Sequence, residues 1–132
     1  MASIFTRIIK GEIPCYKVAE SENYFAFLDI NPLHQGHTLV VPKMEVDDLF
    51  DLPEEVYNGL TQFARVVAKA IKKTIPCNRV GVSVIGLEVP HAHIHLIPIN
   101  QLHDIDFTKP RVPLTSEQFQ EIANKISANF EL

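Results

Sequence analysis

His91-Ala92-His93-Ile94-His95-Leu96-Ile97 alternates imidazole and apolar side chains without a break. Strict alternation predicts a strand. Successive side chains on a strand point to opposite faces, so the three imidazoles share one face and Ala92, Ile94 and Leu96 the other. The aliphatic face is predicted to lie on a core, leaving a row of three histidines towards a cleft or solvent. Pro98 suits the strand's end, because proline cannot donate to a ladder.

Three readings of that row compete. The first is a polar strand face that carries histidines by accident. The second is a metal site, since neutral imidazole is a common ligand. At about 3.3 Å per residue, His91 and His95 would lie roughly 13 Å apart along a strand, too far for one ion to gather all three without a bulge. A two-histidine site completed by another residue stays open. The third is a nucleophile with helpers: the central imidazole attacks, one neighbour orients it, and the other binds the group attacked.

Composition narrows the setting. A chain of 132 residues predicts one domain over 1–132, able to bury about two thirds of its unfolded surface. An apolar fraction of 46% fits a soluble globular protein. The formal charge of −4 argues against nucleic acid as a main partner, though not against a small phosphate compound in a local pocket. No apolar run approaches the ~20 residues of a membrane span, and the first residues lack a secretory signal. Cys15 and Cys77 form no metal spacing and read as reduced thiols of a cytoplasmic protein.

Working outward, the pattern predicts an α+β chain. Ser3 is placed as the cap of a short helix over residues 4–10, stopped by Gly11. Strands are expected over 15–20 and 24–28, joined at Ser21-Glu22-Asn23, and a third over 37–41 ends at Pro42. Asp51, with Glu54 three residues on, is expected to cap a long helix. That helix carries Val56, Leu60, Phe63, Ala64, Val67 and Ile71 as one apolar stripe. A valine-rich strand is predicted over 79–86, before the histidine strand. Thr115 and Gln118 form a capping box, and Phe119, Ile122, Ala123, Ile126 and Phe130 stripe a C-terminal helix.

The alternating histidines resemble the signature of the histidine triad (HIT) family of nucleotide hydrolases and transferases. The likeness extends to Ser3-Ile4-Phe5, Lys10-Gly11-Glu12-Ile13-Pro14, Ala26-Phe27-Leu28-Asp29-Ile30-Asn31-Pro32 and Gly36-His37-Thr38-Leu39-Val40-Val41-Pro42-Lys43. These segments are similar in order and spacing to the Hint-like branch, whose members are nucleoside phosphoramidases and related hydrolases. The resemblance covers roughly residues 3–98 and leaves 99–132 as an extension with a helix. It implies an antiparallel sheet flanked by helices, extended across a homodimer.

The resemblance also assigns roles. His93 becomes the nucleophile that is nucleotidylated, His95 binds the phosphate, His91 fixes the orientation and tautomer of its neighbour, and His37 backs the triad. Asp29 matches the acid that accepts hydrogen bonds from ribose hydroxyls, as a two-oxygen acceptor does well. Phe5, Ile8, Phe27 and Ile30 match the lining of a purine pocket. The implied reaction is hydrolysis of a nucleoside 5′-phosphoramidate or related phosphoester, with no cofactor. The alternative is a non-catalytic nucleotide-binding or signalling module of the same fold. A third reading is a metal-dependent hydrolase using His91 and His93.

Two departures from the family pattern matter. Gly86-Leu87-Glu88-Val89 stands where Hint-type proteins commonly have Gly-Gln-Ser/Thr-Val. Glu88 therefore replaces the polar residue near the leaving group, and a carboxylate there repels phosphate unless it points away or meets a cationic or amine leaving group. The strand over 80–85 places no phosphate-contacting asparagine, so Ser83 is the substitute. Some bacterial members hold structural zinc at positions that match Ser3, Thr6 and Glu45 together with a triad histidine. Structural zinc favours thiolate and imidazole, so no metal is expected there.

Overall fold

The computed structural model describes residues 2–132. Ser3 accepts the Thr6 N–H at its side chain and starts helix α1, Ile4–Ile9. Its extended backbone and hydroxyl satisfy a donor that the helix leaves free. Strands β1 (Lys17–Glu20), β2 (Tyr24–Leu28) and β3 (Thr38–Pro42) follow, then helix α2 (Glu54–Thr74), strands β4 (Arg79–Ser83) and β5 (Ile94–Ile99), and helix α3 (Ser116–Ala128). The strands form one antiparallel sheet in the order β1-β2-β3-β5-β4. This is the expected α+β architecture with one long helix and a C-terminal helix.

Both faces of the sheet are covered. Ala26, Leu28, Val40, Ala92, Ile94 and Leu96 join the buried stripe of α2 (Leu60, Phe63, Ala64, Val67, Ile71) and that of α3 in one core. On the opposite face Phe25, Phe27, Leu39 and Val41 pack with Phe5 from α1 in a second cluster. Alternation along β2 and β3 thus feeds two cores, which is why both strands are buried throughout their inner length. Burial of this kind supplies most of a helix's stability, since propensity alone is marginal. Among the described residues no helix is long and apolar enough to cross a membrane.

Four boundaries differ from the sequence expectation, three of them where the facing strand decides and one at a proline. Strand β5 starts at Ile94, not His91. Its ladder to β3 runs Thr38–Leu96, Leu39–His95, Val40–Ile94, and the next N–H in register would have to come from Pro42, which has none. The Ala92 N–H instead reaches the Val46 carbonyl at 2.7 Å. Strand β4 stops at Ser83, opposite His95, close to where the facing chain leaves the ladder: residues 85 and 86 would lie opposite His93 and Ala92, which precede β5. Strand β1 begins only at Lys17, whose partner Phe27 lies one residue from the end of β2.

The fourth concerns the cap of α2. Asp51 does not fill it: Leu49–Asp51 form a short 3-10 turn capped by Asp48. Leu52 and Pro53 are both extended, so the helix starts at Glu54 with Pro53 as N-cap and no side-chain bond. A residue before proline is biased out of the helical region, which moves the start. Glu54 and Glu55 in the first turn favour the dipole in place of the missing cap. The Thr115–Gln118 capping box of α3 forms as expected.

Candidate functional site

The three triad imidazoles lie on the α1 side of the sheet, while Ala92, Ile94 and Leu96 point into the helix-side core. The facing survives although residues 91–93 are irregular. None of the three faces open solvent: His91, His93 and His95 are all buried. His93 and His95, with ring centres 5.0 Å apart, wall a cavity of about 640 Å³.

Each ring's tautomer follows from a neighbour that can play only one role. A carbonyl oxygen only accepts, so the 2.7 Å contact between His93 Nδ1 and the His91 carbonyl places the proton on Nδ1. In the neutral ring this leaves the Nε2 lone pair free. A backbone N–H only donates, so Leu33 N–H to His37 Nδ1 at 3.0 Å places the His37 proton on Nε2. His37 Nε2–H then donates to His95 Nδ1 at 3.0 Å. His95 is left with its proton on Nε2. The relay delivers one lone pair at His93 and one N–H at His95.

Local backbone sets this relay. The loop after β2 folds back so that Asp29 N–H meets the His37 carbonyl at 3.0 Å. Gly36 makes the turn with φ of 88°, and a Cβ there would fall 2.8 Å from Ile75 Cγ1, so only glycine fits. Burial pushes His37 down to about 3 and His95 down to about 4, with nearby charge from Arg111 acting in the same direction on both. Both rings are therefore neutral at pH 7.

Asp29 accepts the Asn31 N–H at 2.8 Å on one oxygen and stands 3.5 Å from His37 Nε2 with the other. Burial raises its carboxyl above the ordinary range, although that N–H pulls the other way. Phe5, Ile8, Phe27, Ile30 and Glu88 line the same cavity, with Ile30 on its exposed rim. The Phe5 ring meets Phe27 edge-on at 5.5 Å and His93 at 5.0 Å. Ser83 pairs with His95 in the ladder and is not among the residues that line the cavity. His103 is exposed, and His34 turns to its neighbour's carbonyl.

His91 faces another way. Its Nε2–H donates to the Pro42 carbonyl at 2.8 Å, so Nδ1 accepts the Ser3 hydroxyl at 2.7 Å. Glu45 Oε1 accepts from the Thr6 hydroxyl at 2.6 Å and from Ser3 N–H at 2.7 Å, bonds that hold its carboxyl down at about 2. The positions that match a family zinc site are thus joined to each other by hydrogen bonds. Two hydroxyls, a carboxylate and an imidazole whose lone pair is already taken do not fit structural zinc.

Asp29, His37 and His95 also converge closely enough to suggest a cage for a cation. Their protons argue against it. Leu33 N–H occupies the lone pair of His37 Nδ1, so Nε2 carries hydrogen where an ion would need a lone pair.

Sequence reading missed Phe107 and Arg111, which also wall the cavity. The Phe107 ring stands edge-on to His95 at 4.8 Å, and Arg111 lies over its face. They sit in a polar stretch with no periodic signal, and only the Asn31 and Pro32 carbonyls that dock the stretch place them here.

Imidazoles with assigned tautomers, a carboxylate and an apolar slot on one α+β sheet define the class, and comparison with known proteins agrees. The HIT domain family is matched across residues 10–102. The chain is 32% identical to adenosine 5′-monophosphoramidase hnt1 of Schizosaccharomyces pombe, over 99% of this chain and 100% of that protein. A Hit-like protein from Bartonella henselae superposes with a TM-score of 0.83 at 31% identity, covering 96% of this chain and 95% of that one. A zinc-bound histidine triad family protein from Mycobacterium smegmatis does so with a TM-score of 0.83 at 27% identity, covering 98% and 94%. The chain belongs to the HIT family.

Proposed function

We propose that the protein hydrolyses nucleoside 5′-phosphoramidates, or related nucleoside phosphoesters, through a nucleotidyl intermediate on His93. The observation that carries this reading is the 2.7 Å bond from His93 Nδ1–H to the His91 carbonyl, which leaves Nε2 as a lone pair at the cavity wall. That nitrogen forms a bond to phosphorus as the phosphorus–nitrogen bond of the substrate breaks, and the leaving amine takes up a proton. Water then cleaves the phosphorus–Nε2 bond and releases the nucleoside monophosphate. Splitting one displacement into two lowers each barrier.

His95 donates its Nε2–H to the phosphoryl oxygens, where negative charge gathers in the transition state. His37 keeps that proton in place through the 3.0 Å bond. His91 orients His93 through its backbone carbonyl rather than its ring. Asp29 accepts from the ribose hydroxyls, and Phe5, Ile8, Phe27 and Ile30 hold a purine. Glu88, on the cavity wall, meets a leaving group that carries an amine better than one that carries an acid. The match to a named monophosphoramidase over nearly the whole chain supports the same chemistry.

Wild-type protein is expected to release AMP from adenosine 5′-phosphoramidate at equal rates with and without a strong chelator. Chelator-sensitive turnover would point to a metal hydrolase. AMP binding with no turnover would leave only a nucleotide-binding module.

The active form is proposed to be a homodimer joined at β4. That strand is an outer edge of the sheet, and Val82 on it and Val84 and Ile85 just past its end are exposed, a hazard unless covered. Light scattering at micromolar concentration is expected to give twice 14.9 kDa, and Val82→Glu to shift the mass towards the monomer. A wild-type monomer would remove this part of the reading. Residues 1–132 are taken as one domain, since α3 packs on α2 and β1. Two free thiols, Cys15 and Cys77, favour a cytoplasmic location.

A further inference from the structure

Beyond residue 102, where the family match ends, the chain turns back over the cavity. Val112 N–H donates to the Pro32 carbonyl at 2.8 Å. Arg111 Nη1 donates to the Asn31 carbonyl at 2.7 Å, and Nη2 to the Phe107 carbonyl at 3.3 Å. Its guanidinium carbon lies 5.4 Å from the centre of the Phe107 ring, which itself stands 4.8 Å from His95. Guanidinium has five N–H donors, so these two bonds anchor the group and leave three donors unused.

The charge around it is one-sided. Arg111 is the only lysine or arginine among the described residues that line the cavity, whereas Asp29 and Glu88 are both acids. His37 and His95 are neutral at pH 7 and add no fixed positive charge. A phosphate entering this pocket would meet two acidic side chains and, without Arg111, no lysine or arginine. The planar fork of a guanidinium suits phosphate oxygens, and stacking on an aromatic face holds it in one orientation.

We propose that Arg111, carried by the segment after the family-matched region, is the anion-binding residue of this pocket and selects phosphorylated over unphosphorylated nucleosides. Its free N–H groups donate to the non-bridging oxygens of the group held beside His93 and His95. The residue thus has two duties: it ties residues 107–112 to the loop after β2, and it supplies the positive charge of the site. This assignment rests on the nucleotide reading given above.

Calorimetric binding of AMP and of adenosine to wild type, Arg111→Ala and Arg111→Lys separates the two duties. Arg111→Ala is expected to weaken AMP binding roughly tenfold or more, the scale of a charge-assisted hydrogen bond, and adenosine binding less than about twofold. Arg111→Lys, which keeps charge but loses the fork, is expected to fall between. An unchanged ratio of AMP to adenosine affinity in Arg111→Ala, whether both fall together or neither does, would overturn the assignment and leave Arg111 only as a tether. Wild type that binds neither ligand would overturn the nucleotide reading, and this assignment with it.

Discussion

Replacing His93 with alanine is expected to lower kcat for adenosine 5′-phosphoramidate by at least about 10³-fold while AMP still binds. The expectation rests on what the substitution removes and what it leaves. It removes the Nε2 lone pair, the only imidazole lone pair that the hydrogen bonds leave open to the cavity. Those at His37 and His91 Nδ1 are taken by Leu33 N–H and the Ser3 hydroxyl. The one at His95 Nδ1 is taken by His37 Nε2–H. No neighbouring ring can therefore substitute as nucleophile without breaking a buried bond.

What remains is the binding apparatus. Asp29 keeps its Asn31 anchor, and the Phe5–Phe27 pair keeps its edge-on contact. Mass spectrometry of the wild type quenched during turnover is expected to show a nucleotidyl adduct that the variant lacks. A variant within about tenfold of wild type would end the nucleophile assignment. A variant that loses AMP binding in parallel would show that His93 acts mainly as a wall of the pocket.

Much of this site is legible in the sequence because its signals are local. The imidazole–aliphatic alternation predicts which side chains enter the core, and Ala92, Ile94 and Leu96 do so even where the ladder has lapsed. Ser3 as a cap, β2 over Tyr24–Leu28 and the Thr115 capping box need only near neighbours, and all three stand where the pattern puts them. The start of β5 was illegible from its own residues, because the missing N–H belongs to Pro42 on another strand. The tail failed for the same reason. Nothing in Asp106-Phe107-Thr108-Lys109-Pro110-Arg111 is periodic, and its position depends on two carbonyls some eighty residues earlier. The resemblance likewise implies an orienting role for His91 but not an atom, and the His91 atom that His93 meets is a backbone oxygen rather than the ring.

Acid is expected to destabilise this protein well above the range where carboxylates titrate. His37, 1% exposed, is held down to about 3, and His95, 8% exposed, to about 4. Unfolded histidine titrates near 6.5, so both groups have depressed native values. At pH 7 the native rings are neutral and the unfolded ones mostly so, and nearly the full stability is present. As pH falls below about 6.5 the unfolded chain takes up protons that the native rings refuse, and stability declines until the native values are reached. Each group then costs about 1.4 kcal/mol per pH unit, or roughly 4 kcal/mol for the pair at pH 5. Burial depresses His91 in the same direction. Asp29 works in the opposite sense: its native value is raised, so its contribution improves as pH falls through that value and offsets part of the loss.

The relay explains why the rings cannot simply accept the proton. A second proton on His37 would face the Leu33 N–H, and one on His95 would face the His37 Nε2–H. Either breaks a buried hydrogen bond. A loss of 4 kcal/mol is a large part of the 5–15 kcal/mol typical of a domain, and corresponds to roughly 10–20 °C in Tm for a chain of this size. Scanning calorimetry at pH 7, 6 and 5 in buffers without phosphate is expected to show that fall. A Tm that stays level across this range would mean that both rings take up protons in the native state, His95 among them. In that case His95 would bring a full positive charge to the phosphate, and the single N–H assigned to it here would be wrong.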